Sequence, residues 1–335
     1  MCGINGFISS TNAIEQRLLS EINKMNNSII HRGPDDQGVF VEESADFGIA
    51  LGMRRLSIID LETGKQPIFS EDQQLVIVFN GEIYNYRSLR KQLETRGCIF
   101  KTYSDTEVIL KLYEMDGEKS FKELDGMFAF SIYDKKRSKV FVARDFFGEK
   151  PLYYTQSNNK FIWASELKSL IKVVDKKPEI SITGLNHFLR LTFIPAPHSI
   201  YQNIYKLEAN HYLEYDLTNH KYSVTSIGNE FERNQSNMDF ETAKTTTGQL
   251  VRESVESRSV SDVPIGTFLS GGVDSSVVSL CLAQMKEEKI NTFSIGFKKG
   301  SFDETDKSRL VAKLINSKHH EFIIDEDDLK HNIHE

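Results

Sequence analysis

The chain has 335 residues, enough for two domains or one large one, with 39% hydrophobic and 27% charged residues. Asp and Glu outnumber Lys and Arg by 48 to 41. The resulting net charge of −7 argues against a nucleic-acid backbone or an anionic membrane as a non-specific partner, and 22 Phe and 12 Tyr exclude a disordered chain.

The first residues, MCGINGFISS, lack the basic region and long apolar core of a secretory signal, and no apolar run approaches the roughly 20 residues that span a bilayer. Gly3–Ser9 reads as a strand. Leu18, Leu19, Ile22, Met25, Ile29 and Ile30 then fall at helical spacing. Gly48–Met53, Leu75–Phe79, Met127–Asp134 and Lys139–Arg144 read as further strands. LVIVF and MFAFSIY are apolar on both faces, as strands between layers are. Between them, Tyr86–Arg96 reads as a helix stopped by Gly97. Ser104-Asp105-Thr106-Glu107 has capping-box spacing ahead of a helix ended by Gly117. Gly228–Asp239 is polar and aperiodic, and reads as an exposed loop. A helix over 240–259 follows, with Ala243, Leu250, Val251 and Val255 facing inward. Beyond it, strand Pro264–Leu269, the turn SGGVDSS, helix Val277–Met285, strand Asn291–Phe297, helix Thr305–Ile315 and strand His320–Ile324 alternate as in a parallel sheet. The last residues, Asp325–Glu335, are expected to fray. Cys2, Cys98 and Cys281 show no CxxC spacing, so neither a disulfide framework nor a zinc site is expected, and the setting inferred is cytoplasmic.

Cys2 follows the initiator Met. Once Met1 is removed, one residue carries a thiol nucleophile and an α-amine able to act as its base near neutral pH. A cysteine at position 2 alone is weak evidence, and so is each companion motif. His31-Arg32-Gly33-Pro34-Asp35 is a tight turn with a cation and a carboxylate. Arg55-Leu56-Ser57-Ile58-Ile59-Asp60 puts a guanidinium at the start of a strand. Asn80-Gly81-Glu82 follows LVIVF, where an Asn amide and a Gly N–H can form an oxyanion hole. Asp105 stands at a helix N-terminus. Singly these are a surface Arg, an Asn-Gly turn and a cap.

Taken together and in order, MCGI, HRGPD, RLSIID, NGEIYNY and SDTEV resemble the class II, N-terminal-nucleophile family of glutamine amidotransferase domains over about residues 2–200. The resemblance implies an α+β, four-layer αββα sandwich. It implies that Cys2 attacks the glutamine side-chain amide, that Asn80 and Gly81 carry the oxyanion, that Arg55 pairs with the substrate α-carboxylate, and that Glu82 and Asp105 hold its α-ammonium. A zwitterionic amino acid does need a forked cation and an anion to fix both ends.

Ser270-Gly271-Gly272-Val273-Asp274-Ser275-Ser276, between a strand and a helix, has backbone N–H groups and hydroxyls that can cradle an anion. It is neither a Walker A loop nor a dinucleotide fingerprint. An ordinary Ser/Gly-rich turn is the plain alternative. SGGVDSS resembles the pyrophosphate loop of ATP-pyrophosphatases. That resemblance implies ATP contacts from Leu269, Ser270, Gly271, Gly272, Asp274, Ser275 and Ser276, Mg²⁺ at Asp274, and adenine contacts from Ile295 and Gly296. Phe302-Asp303-Glu304 resembles the start of the family's next segment. An amidotransferase domain followed by such a loop is the layout of the glutamine-hydrolysing asparagine synthetases of bacterial B type. The expected organisation is an amidotransferase domain at 2–205, a connecting segment at 206–239, and at 240–335 an incomplete α/β parallel-sheet nucleotide-binding domain.

No SGEGADE-like loop occurs, so half or more of the family's synthetase domain is expected to be missing, whether the chain is a fragment, the product of a disrupted frame or half of a split enzyme. A three-stranded sheet is then expected to leave an edge uncovered. Glutamine and aspartate are the implied substrates, with a homodimer or a separate chain carrying the remaining half as partner. The rival readings are a glutaminase only, an amidotransferase with another carboxylate acceptor, and a binding module without turnover.

Overall fold

The computed structural model describes residues 2–10, 14–157, 159–228, 237–298 and 303–332. The chain divides into two compact units, Met1–Phe231 and Glu232–Glu335.

In the first unit the elements are β1 (Gly3–Ser9), α1 (Glu15–Ser28), β2 (Asp36–Glu43), β3 (Gly48–Arg55), β4 (Ile68–Phe69), β5 (Leu75–Ile83), α2 (Tyr86–Thr95), α3 (Asp105–Asp116), β6 (Gly126–Asp134), β7 (Lys139–Arg144), β8 (Tyr153–Ser157), β9 (Lys160–Ala164), α4 (Leu167–Leu170), α5 (Ile182–Leu191), β10 (Tyr205–Lys206), β11 (His211–Asp216) and β12 (Lys221–Ser226). One sheet runs β10-β8-β9-β1-β3-β2 and the other β12-β11-β7-β6-β5-β4. All their pairings are antiparallel.

Side-chain alternation builds the layers. From β1 and β3, Ile4, Ile8, Ile49 and Leu51 meet Val76, Val78, Val140 and Val142 of the other sheet in the inter-sheet core. Phe7 and Ala50, on the opposite face, pack against Leu18, Ile22 and Met25 of α1. The outer face of the second sheet is covered by α3 and the turn after it, where Phe121 makes edge contacts with Phe130 and Phe141. Helix, sheet, sheet, helix is the four-layer sandwich expected. Leu19, also at helical spacing, is 38% exposed on α1, and Ile30 falls past the end of α1 in a short turn, 46% exposed.

Three local readings need correction. Arg55 ends β3 rather than starting a strand. Asn80, Gly81 and Glu82 lie inside β5, which continues past LVIVF to Ile83 because it keeps pairing with β6. Residues 211–226, placed in the connecting segment, form β11 and β12 of the second sheet; β12 is an exposed edge strand with little apolar pattern to betray it. Gly97 and Gly117 end their helices with positive φ (89° and 66°). At α3 the Ser104 side chain accepts from Thr106 N, while Glu107 accepts from the N–H groups of Lys101 and Thr102, so only half of a capping box forms.

The second unit has α6 (Phe240–Ser257), β13 (Gly266–Phe268), α7 (Val273–Met285), β14 (Asn291–Phe297), α8 (Thr305–Leu314), β15 (Lys318–Ile324) and α9 (Glu326–Asn332). Its sheet is parallel, in the order β13-β14-β15. Helix α7 starts at Val273, inside SGGVDSS, four residues earlier than apolar periodicity indicates. Leu250, expected inward, is 58% exposed, and α6 has no buried residue among those described. Phe268, Ile295 and Phe322 of the sheet are also exposed. Helix α9 forms where fraying was expected. Phe302, residues 229–236 of the polar loop and the terminal 333–335 lie outside the described residues.

Candidate active site

Antiparallel pairing sets Gly3 opposite Arg54, so Cys2, one residue before β1, lies beside Leu56, just after β3. Leu56 N–H donates to Cys2 Sγ at 3.3 Å, and Sγ lies 3.5 Å from Leu56 O. Burial pushes the Cys2 thiol up; the Leu56 N–H and the Arg55 charge pull the other way. The thiol therefore needs a proton acceptor at the moment of attack. Behind it, Arg32 Nε donates to Cys2 O at 2.9 Å. Gly33 packs on β3, where a Cβ would fall 2.4 Å from Arg54 C and Arg55 N, which accounts for the glycine in HRGPD.

One pocket holds Cys2, Arg55, Asn80, Gly81, Glu82 and Asp105 together. Asn80 is fully buried, and among the described residues neither its amide nitrogen nor its amide oxygen has a hydrogen-bond partner. A buried amide left unpaired costs about 1–3 kcal/mol, so it marks a place kept for something else. Along β5, Phe79 N donates to Gln66 Oε1 and Ile83 N to Asp105 Oδ2. Backbone N–H groups alternate along a strand, so Gly81 N–H, midway between these two, points the same way, into the pocket. A Cβ on Gly81 would sit 2.1 Å from Met127 O, which excludes any larger residue without movement of β6.

The remaining charges stand around this spot. Arg55 Nη2 donates to Ile59 O (3.0 Å) and Asp60 O (2.6 Å), and Gly64 leaves room for that nitrogen. Asp60 fastens the same loop: its carboxylate accepts from Thr63 N, Thr63 Oγ1 and Tyr103 N. Asp105, the first residue of α3, is buried, and burial together with the nearby Glu82 raises its carboxyl to about 6 despite the Ile83 N–H. Burial also raises Glu82, opposed by Lys150.

All six residues expected from the amidotransferase motifs meet here. Lys150, Gln66, Thr106 and the Leu56 amide also line the pocket or touch Sγ and were not anticipated. Lys150 is buried, which lowers its ammonium, while Glu82 and Cys2 hold it up. It sits at the end of RDFFGEK, whose Asp145 accepts from Phe128, Glu149 and Lys150 N–H groups. A lone Lys between Glu149 and Pro151 carries no signal of burial in the sequence.

In the second unit, Leu269 is buried, its N–H on Phe293 O (2.7 Å). Ser270 and Ser275 hydroxyls lie 2.9 Å apart, Gly272 N donates to Ser270 Oγ, and Ser276 Oγ donates to Gly272 O at 2.6 Å. Gly271 has φ 82°, and a Cβ there would meet Lys307 Cβ at 2.5 Å. Asp274 is exposed in the first turn of α7. Ile295 lies exposed on β14, and Gly296 has Thr305 and Ile323 where a Cβ would go. Among the described residues there is no group of three or more His, Cys, Asp or Glu able to hold a metal ion, and no helix is long and apolar enough to cross a membrane.

A family model described as a glutamine amidotransferase domain matches residues 1–225, and one described as asparagine synthase matches residues 246–335. The chain is 40% identical to a Methanocaldococcus jannaschii protein named asparagine synthetase (glutamine-hydrolysing) 2, covering 98% of this chain and 66% of that one. It is 37% identical to the Bacillus subtilis asparagine synthetase (glutamine-hydrolysing) 1, covering 94% of this chain and 49% of the relative. It thus spans about half to two-thirds of the length of these relatives. A solved structure of glutamine phosphoribosylpyrophosphate amidotransferase from B. subtilis matches with a TM-score of 0.45 at 15% identity, over 96% of this chain and 81% of that one.

Proposed function

We propose, for a chain that belongs to the glutamine amidotransferase domain family, that it hydrolyses glutamine to glutamate and ammonia with Cys2 as nucleophile. The α-amine of Cys2, freed by removal of Met1, takes the thiol proton as Sγ attacks the side-chain amide carbon. The oxyanion forms at the Asn80 amide and the Gly81 N–H. The amine hands its proton to the departing NH₂, ammonia leaves, and a glutamyl thioester remains. Water, deprotonated by the same amine, then attacks the thioester and releases glutamate and the thiol. Arg55 binds the substrate α-carboxylate, and Asp105 and Glu82 its α-ammonium. The observation that carries this reading is the fully buried, unpaired Asn80 amide in the pocket that holds Cys2. Cys2→Ala is expected to abolish glutamate release from glutamine. Glutamate release at the wild-type rate by that variant sinks the reading.

The second unit extends the proposal. The ammonia serves an ATP-dependent, AMP- and pyrophosphate-forming amidation of aspartate. The loop from Ser270 to Ser276 holds the pyrophosphate, with Leu269 buried beneath it, and Ile295 and Gly296 face the adenine. Asp274, an exposed carboxylate at the loop's helix end, fits Mg²⁺, which is held by one or two carboxylates together with phosphates. When bound, Mg²⁺ would neutralise phosphate charge. The family match over 246–335 and the hydroxyl-lined loop support this part. Glutamine and aspartate are the substrates proposed. The boundary between the two functional domains is placed at 227–239.

A further inference from the structure

We propose that Glu166 is a positioning residue for the nucleophile, acting on Cys2 through Arg32; this rests on the glutaminase reading above. Glu166 lies just past β9, the strand that flanks β1 opposite β3. The β1–β9 register runs Asn5 against Ala164, and past its end Ser165 N donates to Ile4 O (2.9 Å) while Ser165 Oγ accepts from Ile4 N (2.9 Å). Glu166 is therefore fixed to the start of the nucleophile's strand. Its Oε1 accepts from Arg32 Nη1 at 2.8 Å, and the same guanidinium donates through Nε to Cys2 O at 2.9 Å. The guanidinium is a rigid plane, so orienting one edge orients the other. Arg32 runs across Gly3, where a Cβ would lie 2.9 Å from Arg32 Cδ, so the glycine after the cysteine opens the path. His31 Nε2 lies 2.9 Å from the same Glu166 oxygen, and Lys168 Nζ lies 3.6 Å from the other.

Cys2 precedes the first strand residue, so the ladder hydrogen bonds of β1 do not hold it directly. Leu56 fixes the thiol side and the Arg32–Glu166 pair fixes the carbonyl side. Without the carboxylate, Arg32 keeps its charge but loses its aim, and Sγ departs from the attack line. Misplacement of reacting atoms by about 1 Å can cost on the order of 100-fold in rate.

The test uses the full chain. Glu166→Ala is expected to lower kcat for glutamate release by about 10- to 100-fold with KM within about twofold. Glu166→Gln, which keeps one acceptor oxygen, is expected to recover part of the loss. Alkylation of Cys2 by iodoacetamide, followed by mass spectrometry, is expected to slow in Glu166→Ala as well. If the wild-type chain releases no glutamate, the glutaminase reading fails, and this alkylation rate alone decides the positioning role. An unchanged kcat and unchanged alkylation overturn the proposal, as does a raised KM with kcat intact. If Glu166→Ala does not fold, Glu166→Gln is combined with Arg32→Lys. A double variant no slower than the slower single supports action through Arg32, and multiplicative losses overturn it.

Discussion

Asp105 is a carboxyl whose burial is at odds with its charge, and the conflict is measurable. Its pKa stands near 6 against an ordinary 3.8, mainly through burial and then through Glu82. A carboxyl raised on folding contributes stability that is full below pH 3.8 and gone above about 6, because the unfolded chain releases its proton first. A shift of this size corresponds to on the order of 3 kcal/mol. Asp105→Asn keeps an acceptor for Ile83 N–H without the charge. Its melting temperature relative to wild type is expected to rise between pH 4 and pH 8, and a gap that stays constant would refute the assignment. The same variant is expected to raise KM for glutamine, since the α-ammonium loses its anion. Asn80 and Arg55 divide differently. Asn80→Ala is expected to lower kcat by roughly 100- to 1,000-fold, the usual cost of one oxyanion donor. Arg55→Ala is expected to act mainly on KM, because its partner carboxylate is present before and during reaction. The reverse pattern in steady-state kinetics would exchange the two roles.

At the scale of elements, β5 does most of the work of the pocket. It runs through Asn80, Gly81 and Glu82 because β6 pairs with it as far as Ile83, while β4 beside it is only two residues long. Beyond Ile77, where β4 pairs with it, the odd-numbered N–H groups of β5 are left to Gln66, the pocket and Asp105. A side chain at Gly81 would press on the Met127 carbonyl at 2.1 Å. Gly81→Ala is therefore expected to destabilise the chain by about 1–3 kcal/mol, the range of overpacking in a filled site, and to reduce glutamate release beyond what the loss of folded protein explains. Urea titration beside an activity assay separates the two. An unchanged midpoint would show that β6 yields without cost.

At the scale of the whole molecule, both core clusters that position Cys2 lie between Ile4 and Leu217, inside the first unit. Residues 2–231 made alone, with Cys2 at the N-terminus, are expected to fold and to release glutamate at a rate near that of the full chain. Asp274→Ala in the full chain is expected to leave that release intact while weakening Mg-ATP binding by calorimetry. Glutamate release that falls with Asp274 would contradict independent units.

Cys2, Arg55, Asn80, Gly81, Glu82 and Asp105 were legible as a group because their motifs, each weak singly, together and in order resemble one amidotransferase family, and the fold brings all six to one pocket. The strands LVIVF and MFAFSIY were legible because apolar residues on both faces have no other place than between layers. The sequence also determined the Gly/Ser loop ahead of α7, since few turns gather those hydroxyls and glycines before a helix. Only the tertiary structure decided that β5 continues through Asn80–Glu82, because strand length depends on a partner 47 residues away at Gly81 and Phe128. It alone placed β11 and the exposed β12 in the second sheet, where backbone pairing rather than apolar pattern holds them. It alone brought Lys150 into the pocket and Glu166 behind Cys2, because those contacts arise from the order of strands in the sheets. No local pattern of residues records which strand will lie beside which.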